Sequence, residues 1–321
     1  MNTKVKNCVA ILCAVYFGYI PCAHAYWVWT PGSKKFINPK YAVKDTPEEQ
    51  FAWAMGFFNA QDHKKAVAEF EKLIKSYEFS EYAAKAQFYV GMTYEKMGKP
   101  YMAFQSYQKV IDNYPYSEDL DEVIHREFEI GNYYLNKVNP RLFGTDILGP
   151  IERAVEIYKK VVENAPYGSY ASEAQYNLGV ALKKAERYGE AVEAFQRLLD
   201  EYPNDPLVEK AKYEIALSAY KASLSPAYDQ GPLDKAISAF KNYIDEEENS
   251  EYAAEADRTL QRLQDRAAQK IFDIAAFYEK QKKYQSAITY YQEVINTYPD
   301  SIYALMAARK MGNLQRKIGE K

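Results

Sequence analysis

Six alanines, Ala66, Ala103, Ala154, Ala191, Ala236 and Ala287, each stand four positions before an aromatic residue: Phe70, Tyr107, Tyr158, Phe195, Phe240 and Tyr291. Four positions further on comes an aliphatic side chain, at Ile74, Ile111, Val162, Leu199, Ile244 and Ile295. Four of the series then close on Pro115, Pro166, Pro203 and Pro299, with Glu78 and Glu248 in the other two. A spacing of four keeps side chains on one helical face, and proline ends the helix. Counting back twelve residues gives a second small position at Ala54, Gly91, Gly179 and Ala275, with Gly131 and Ala216 the best matches in the two remaining units. A bulky apolar residue precedes each (Trp53, Val90, Ile130, Leu178, Ile215, Ile274). An aromatic lies three before it (Phe51, Phe88, Phe128, Tyr176, Tyr213, Phe272). A small residue on each of two helices lets their axes approach closely, so the chain is constrained to fold as repeated helix pairs.

Successive marker alanines are 37, 51, 37, 45 and 51 residues apart. With 37 as the basic period, the extra residues map to Asn139–Pro150, to Ser223–Pro232, and to Glu251–Lys282, which has no Pro or Gly and predicts one extended helix. A small–x11–small core closed by proline is the pattern of tetratricopeptide repeats. The expected fold is all-α, a right-handed α-solenoid of about six tetratricopeptide-type helix pairs over residues 46–321. No long strand-like alternation occurs, and the repeats argue against the two domains that length alone suggests.

Before the repeats, Lys4 and Lys6 precede a 13-residue apolar run, Cys8–Ile20, and then Ala23-His24-Ala25. This reads as a signal peptide, 1–25, cleaved after Ala25. A membrane anchor is the competing reading, but a spanning helix needs roughly 20 apolar residues. Cleavage removes all three cysteines, which excludes thiol chemistry and Cys-ligated zinc from the mature chain. It also removes Lys4 and Lys6, taking the formal charge from −3 to −5. A cysteine-free chain suits an oxidising compartment. Acylation at Cys22 is the alternative N-terminus, with Pro21 where lipoprotein signals usually have a small residue. Residues 26–45 form an aromatic arm, Tyr26-Trp27-Val28-Trp29, beside Lys34 and Lys35, suited to docking on a membrane interface or a partner.

In a repeat stack the first helices line a concave groove. One residue past each small position stand Met55, Met92, Asn132, Val180, Leu217 and Ala276, and four past stand Phe58, Glu95, Leu135, Lys183, Tyr220 and Glu279. Phe51, Met55, Phe58, Met92 and Leu135 are therefore the candidate groove residues for apolar side chains of an unstructured polypeptide. In the competing reading, Phe51 and Phe58 only cover the end of the stack.

No catalytic constellation assembles. Outside the leader only His63 and His125 remain, there is no His-x3-His pair, and Gly144–Gly149 has phosphate-loop spacing but is followed by Pro150-Ile151 instead of Lys-Ser/Thr. No cofactor or metal site is expected. With 48% apolar and 26% charged residues and no basic excess, neither disorder nor nucleic-acid binding fits. Most of the 31 tyrosines read as structural, with Tyr107, Tyr158, Tyr176 and Tyr291 at the core spacing.

Three features narrow the choice among repeat proteins: the closing motifs Asn113-Tyr-Pro115, Glu201-Tyr-Pro203 and Thr297-Tyr-Pro299, the export signal, and a C-terminal block. In that block Leu263-Gln-Asp-Arg266, Ala275-Ala-Phe-Tyr278, Tyr284-x-x-Ala287 and Tyr298-Pro299 follow in order. The sequence resembles the BamD family, tetratricopeptide lipoproteins of the complex that inserts β-barrel proteins into the bacterial outer membrane. It departs from the family in its poor lipidation motif and in having six units where the family typically has five. The resemblance implies a non-catalytic scaffold at the inner, periplasmic face of the outer membrane. An N-terminal part, about 46–168, would bind unfolded barrel clients, and a C-terminal part, about 206–321, would dock the membrane-embedded barrel-assembly subunit. Arg266 matches a family arginine at that docking surface, with Leu263 and Asp265 beside it. Two other readings stay open: a periplasmic adaptor for cell-wall or cell-division machinery, and a glycan- or lipid-processing enzyme on a helical scaffold.

Overall fold

A computed structural model of the chain describes residues 28–30, 35–37, 42–137, 149–224 and 231–319. The signal peptide, Cys22 and the start of the aromatic arm lie outside the described residues, as does most of the Asn139–Pro150 insertion. The chain divides into two compact units, 1–99 and 100–321.

The first unit opens with a hairpin the sequence did not announce: β1 (Val28–Thr30) pairs antiparallel with β2 (Lys35–Ile37), setting Trp29 across from Phe36. Three helices follow, α1 (Pro47–Asn59), α2 (His63–Ser76) and α3 (Glu81–Lys96). Thr46 caps α1, its hydroxyl accepting from the Glu49 amide at 3.1 Å, and Pro47 supplies a first-turn residue with no amide to satisfy.

The second unit holds α4 (Pro100–Asn113), α5 (Leu120–Asn136), α6 (Pro150–Asn164), α7 (Ala171–Lys184) and α8 (Tyr188–Glu201). It continues with α9 (Leu207–Ser223), α10 (Gly231–Glu246), α11 (Ala253–Lys280), α12 (Tyr284–Thr297) and α13 (Ile302–Gly319). Within this unit successive helices pack on one another from α4 to α13. The fold is an all-α helical repeat.

All six marker alanines and all six aromatics four residues on are fully buried, at 0% exposure. The third position of the series is different. The aliphatics at plus eight are only half-buried, whereas Leu73, Val110, Val161, Leu198, Tyr243 and Val294, at plus seven, are at most 2% exposed. Seven residues make nearly two helical turns, while eight overshoot the buried face by about 80°. The small positions do what close approach requires. A Cβ on Gly179 would lie 2.5 Å from Phe195 Cε1, and one on Gly131 would lie 2.8 Å from Tyr158 Cε1.

Four of the intra-repeat turns share one chain reversal. Gln61, Gly98, Glu186 and Lys282 all take a positive φ of 60–67°. Each donates to a carbonyl three residues back, and the next residue donates five back, as Asp62 N does to Phe57 O at 3.0 Å. This pair of bonds satisfies the last carbonyls of the first helix.

The predicted long helix is α11, 28 residues. Its first half, with Ala256, Leu263 and Ala267, packs into a core with Tyr213, Phe240 and Tyr243. Its second half, with Ala268, Phe272 and Ala275, packs into another with Tyr291, Val294 and Leu314. The extra residues of this unit are thus continuous helix shared by two cores.

Candidate binding surfaces

In the first unit, Phe51 on α1 touches three rings: Phe70 at 5.7 Å, Tyr82 at 5.6 Å and Tyr89 at 5.5 Å between centroids. Phe58 meets Tyr89 edge-on at 5.3 Å, and the Lys96 ammonium sits 5.4 Å above Phe58. Phe51, Met55, Phe58 and Met92 are all half-buried, so part of each remains available to a ligand. Tyr89 is the residue sequence reasoning missed here. It follows the core residue Phe88, and only the packing of α1 on α3 turns it toward Phe51 and Phe58.

Leu135 lies in the second unit and is only 8% exposed, so it belongs to the core and offers little surface to a client. A polar junction stands on the same helix: Asn132 Oδ1 accepts from the Tyr158 hydroxyl at 2.6 Å and from Asn177 Nδ2 at 3.3 Å, tying α5, α6 and α7 together. Burial raises the Tyr158 phenol well above its usual range.

On the same helix as Asn132, Glu127 is fully buried and accepts from Gln108 Nε2 at 2.7 Å. Desolvation pushes its carboxyl up to about 8, against the opposing pull of Gln108 and Asn164, so at neutral pH it is mostly protonated.

The three candidate docking residues on α11 diverge. Leu263, 1% exposed, is core. Asp265 Oδ1 accepts from the Ile302 amide at 3.1 Å and so caps the first turn of α13. Arg266 is half-buried, and its guanidinium has no ion-pair or hydrogen-bond partner among the described residues. At the far end of α11, Glu279 accepts from the Tyr291 hydroxyl at 2.8 Å and pairs with Lys310 at 3.2 Å, joining α11, α12 and α13.

The two histidines are apart in role. His125 stacks on Tyr170 at 4.9 Å with rings 6° from parallel, and His63 starts α2. Among the described residues no group of His, Cys, Asp or Glu is placed to hold a metal ion. No described helix is long and apolar enough to cross a membrane.

A family described as "Outer membrane lipoprotein" (YfiO) matches residues 148–321, more than half of the chain. The chain belongs to the YfiO family. Tetratricopeptide repeats are matched separately at 50–80 and 85–117, the stretch before the YfiO match. Proteins called "Outer membrane protein assembly factor BamD" are similar to this YfiO chain. The one from Caulobacter vibrioides is 24% identical over 166 residues, covering 50% of this chain and 54% of its own. Those from Xylella fastidiosa (24% over 175 residues) and Rickettsia prowazekii (25% over 168) cover about half of this chain and 60% and 67% of their own. The chain thus spans between half and two thirds of the length of these relatives.

Proposed function

We propose that this chain is a non-catalytic scaffold of outer-membrane protein assembly. In this reading it works in the periplasm at the inner face of the outer membrane, binding unfolded β-barrel clients and a barrel-assembly subunit. Membership of an outer-membrane lipoprotein family whose relatives are assembly factors supports the setting. The observation that carries the mechanism is the half-exposed ring cluster of Phe51, Phe58 and Tyr89. Such a surface takes alternate apolar side chains of an extended segment without demanding one sequence, because aromatic faces are tolerant partners. Arg266 is the docking residue of the other end, since its charge is unpaired among the described residues.

Photocrosslinking in cells from positions 58 and 266 tests this. Phe58 is expected to capture nascent outer-membrane proteins and Arg266 an integral outer-membrane partner. If neither is captured, the scaffold reading fails. The intact mass of the exported chain tests its N-terminus: a start at Tyr26 gives an unacylated protein, and an acylated Cys22 gives the lipoprotein form.

A further inference from the structure

Six turns lead from the second helix of one repeat to the next helix, and all six close with the same bond. The amide of the fourth turn residue donates to the carbonyl of the first: Ser80 to Tyr77, Ser117 to Tyr114, Gly168 to Ala165, Asp205 to Tyr202, Ser250 to Glu247 and Ser301 to Tyr298, all at 2.9–3.1 Å. The third residue of each turn is therefore a matched set. In the last three turns it is Asn204, Asn249 and Asp300, short polar side chains that suit a turn. In the first three it is Phe79, Tyr116 and Tyr167, exposed at 98%, 97% and 96%.

Turn chemistry does not account for this switch, because the same backbone is made equally well with asparagine. Core packing does not account for it either, since nothing of these rings is covered. The turns themselves are anchored, as the Tyr202 hydroxyl donates to Pro166 O at 2.7 Å, right beside Tyr167. Tyr116 and Tyr167 belong to the second unit, and Phe79 repeats the arrangement independently in the first.

The charge around the rings selects the partner. From Asp112 to Glu122 the chain carries Asp112, Glu118, Asp119, Asp121 and Glu122 and no lysine or arginine, with Glu122 paired to Arg126 at 2.8 Å. The charged residues nearest Tyr167 in sequence are Glu163, paired to Lys160 at 2.9 Å, and Glu173. Phe79 stands between the exposed Glu78 and Glu81. Carboxylates beside an aromatic face attract guanidinium and ammonium groups, and repel anionic lipid headgroups.

We propose that the Tyr116 and Tyr167 turns are a second docking surface, for an arginine- or lysine-bearing segment of a partner protein, and that the Phe79 turn is a separate contact of the same kind. This goes beyond the scaffold reading and stands without it, because it uses neither Phe51 and Phe58 nor Arg266.

The test titrates the full chain with a fluorescein-labelled decapeptide of alternating Arg and Val at physiological salt. An alternating Glu and Val peptide and phosphatidylcholine vesicles are run in parallel. The triple variant Phe79→Asn, Tyr116→Asn, Tyr167→Asn keeps the helical circular dichroism of the parent, since asparagine already occupies two of the matched turns. It is expected to weaken Arg–Val peptide binding at least tenfold. A Phe51→Ala, Phe58→Ala variant is expected to leave that binding unchanged, which separates this surface from the client stripe. Equal binding of the Arg–Val peptide by parent and triple variant overturns the proposal. So does vesicle binding that the triple variant abolishes, which would make the surface a lipid contact.

Discussion

The two ends of the described helical chain use their distinctive residues in opposite ways. On α1, the rings of Phe51 and Phe58 pack on neighbours yet stay half-exposed, so one surface serves both fold and ligand. On α11, the block that looks most like a recognition motif is largely consumed by the fold. Leu263 is core, Asp265 is a helix cap, and of the three Arg266 alone has no ion-pair or hydrogen-bond partner among the described residues. Aromatic stripes can be shared between packing and binding because a ring has two faces and an edge. An aspartate that caps a helix is held in place by that bond, so the fold and not a partner sets its orientation.

Five measurements press on this contrast, the strongest first. Leu263→Ala is expected to destabilise the chain by about 2–5 kcal/mol in denaturant unfolding, as for other buried leucines. A cost below about 1 kcal/mol would return Leu263 to the list of surface residues.

Between the ends, Glu127 sets a pH dependence. Its folded pKa of about 8 lies above the ordinary carboxyl value of 4.5, so the folded state holds a proton that the unfolded state releases. Stability is therefore full below about pH 4.5, falls as pH rises, and levels off above about 8, with a loss of at most about 5 kcal/mol. Glu127→Gln should flatten that profile while keeping the hydrogen bond from Gln108. A profile unchanged by the substitution would mean that Glu127 is charged in the fold.

Asp265→Ala should cost about 1 kcal/mol and raise amide exchange in the first turn of α13, the signature of a lost cap. Gly56→Ala, on α1, should act in the other direction. A Cβ there meets nothing within 4 Å, so the helix gains up to about 1 kcal/mol in stability. The smallest effect is expected at Arg266. Replacing it with alanine should move stability by less than about 0.5 kcal/mol, while crosslinking to a membrane partner is lost. A large stability loss there would erase the distinction drawn within α11.

Much of the fold could be read from spacing alone. The buried alanines and aromatics recur at fixed distances because the helix period and the tight helix–helix approach demand it, and the absence of Pro and Gly over Glu251–Lys282 was enough to announce α11. The plus-seven core positions were harder to read. Valine or leucine stands beside an equally apolar neighbour at plus eight, as Val161 does beside Val162, and only helical phase separates the two. The cap by Asp265 and the turn of Tyr89 toward α1 depend on partners distant in sequence, Ile302 and Phe51. Neither leaves a local mark. The β1–β2 hairpin was missed for the opposite reason, since strands of three residues carry too few alternations to register.

The sharing of α11 between two cores bears on how this end of the molecule comes apart. In an ordinary repeat array each helix pair can open against its neighbour, so protection from hydrogen exchange fades gradually toward the terminus. Here one rod enters both hydrophobic clusters, and unwinding it exposes Leu263 and Phe272 together. Residues 231–319 should accordingly exchange as a single cooperative block, and strain applied at α13 should be felt at α10 without passing through any loop.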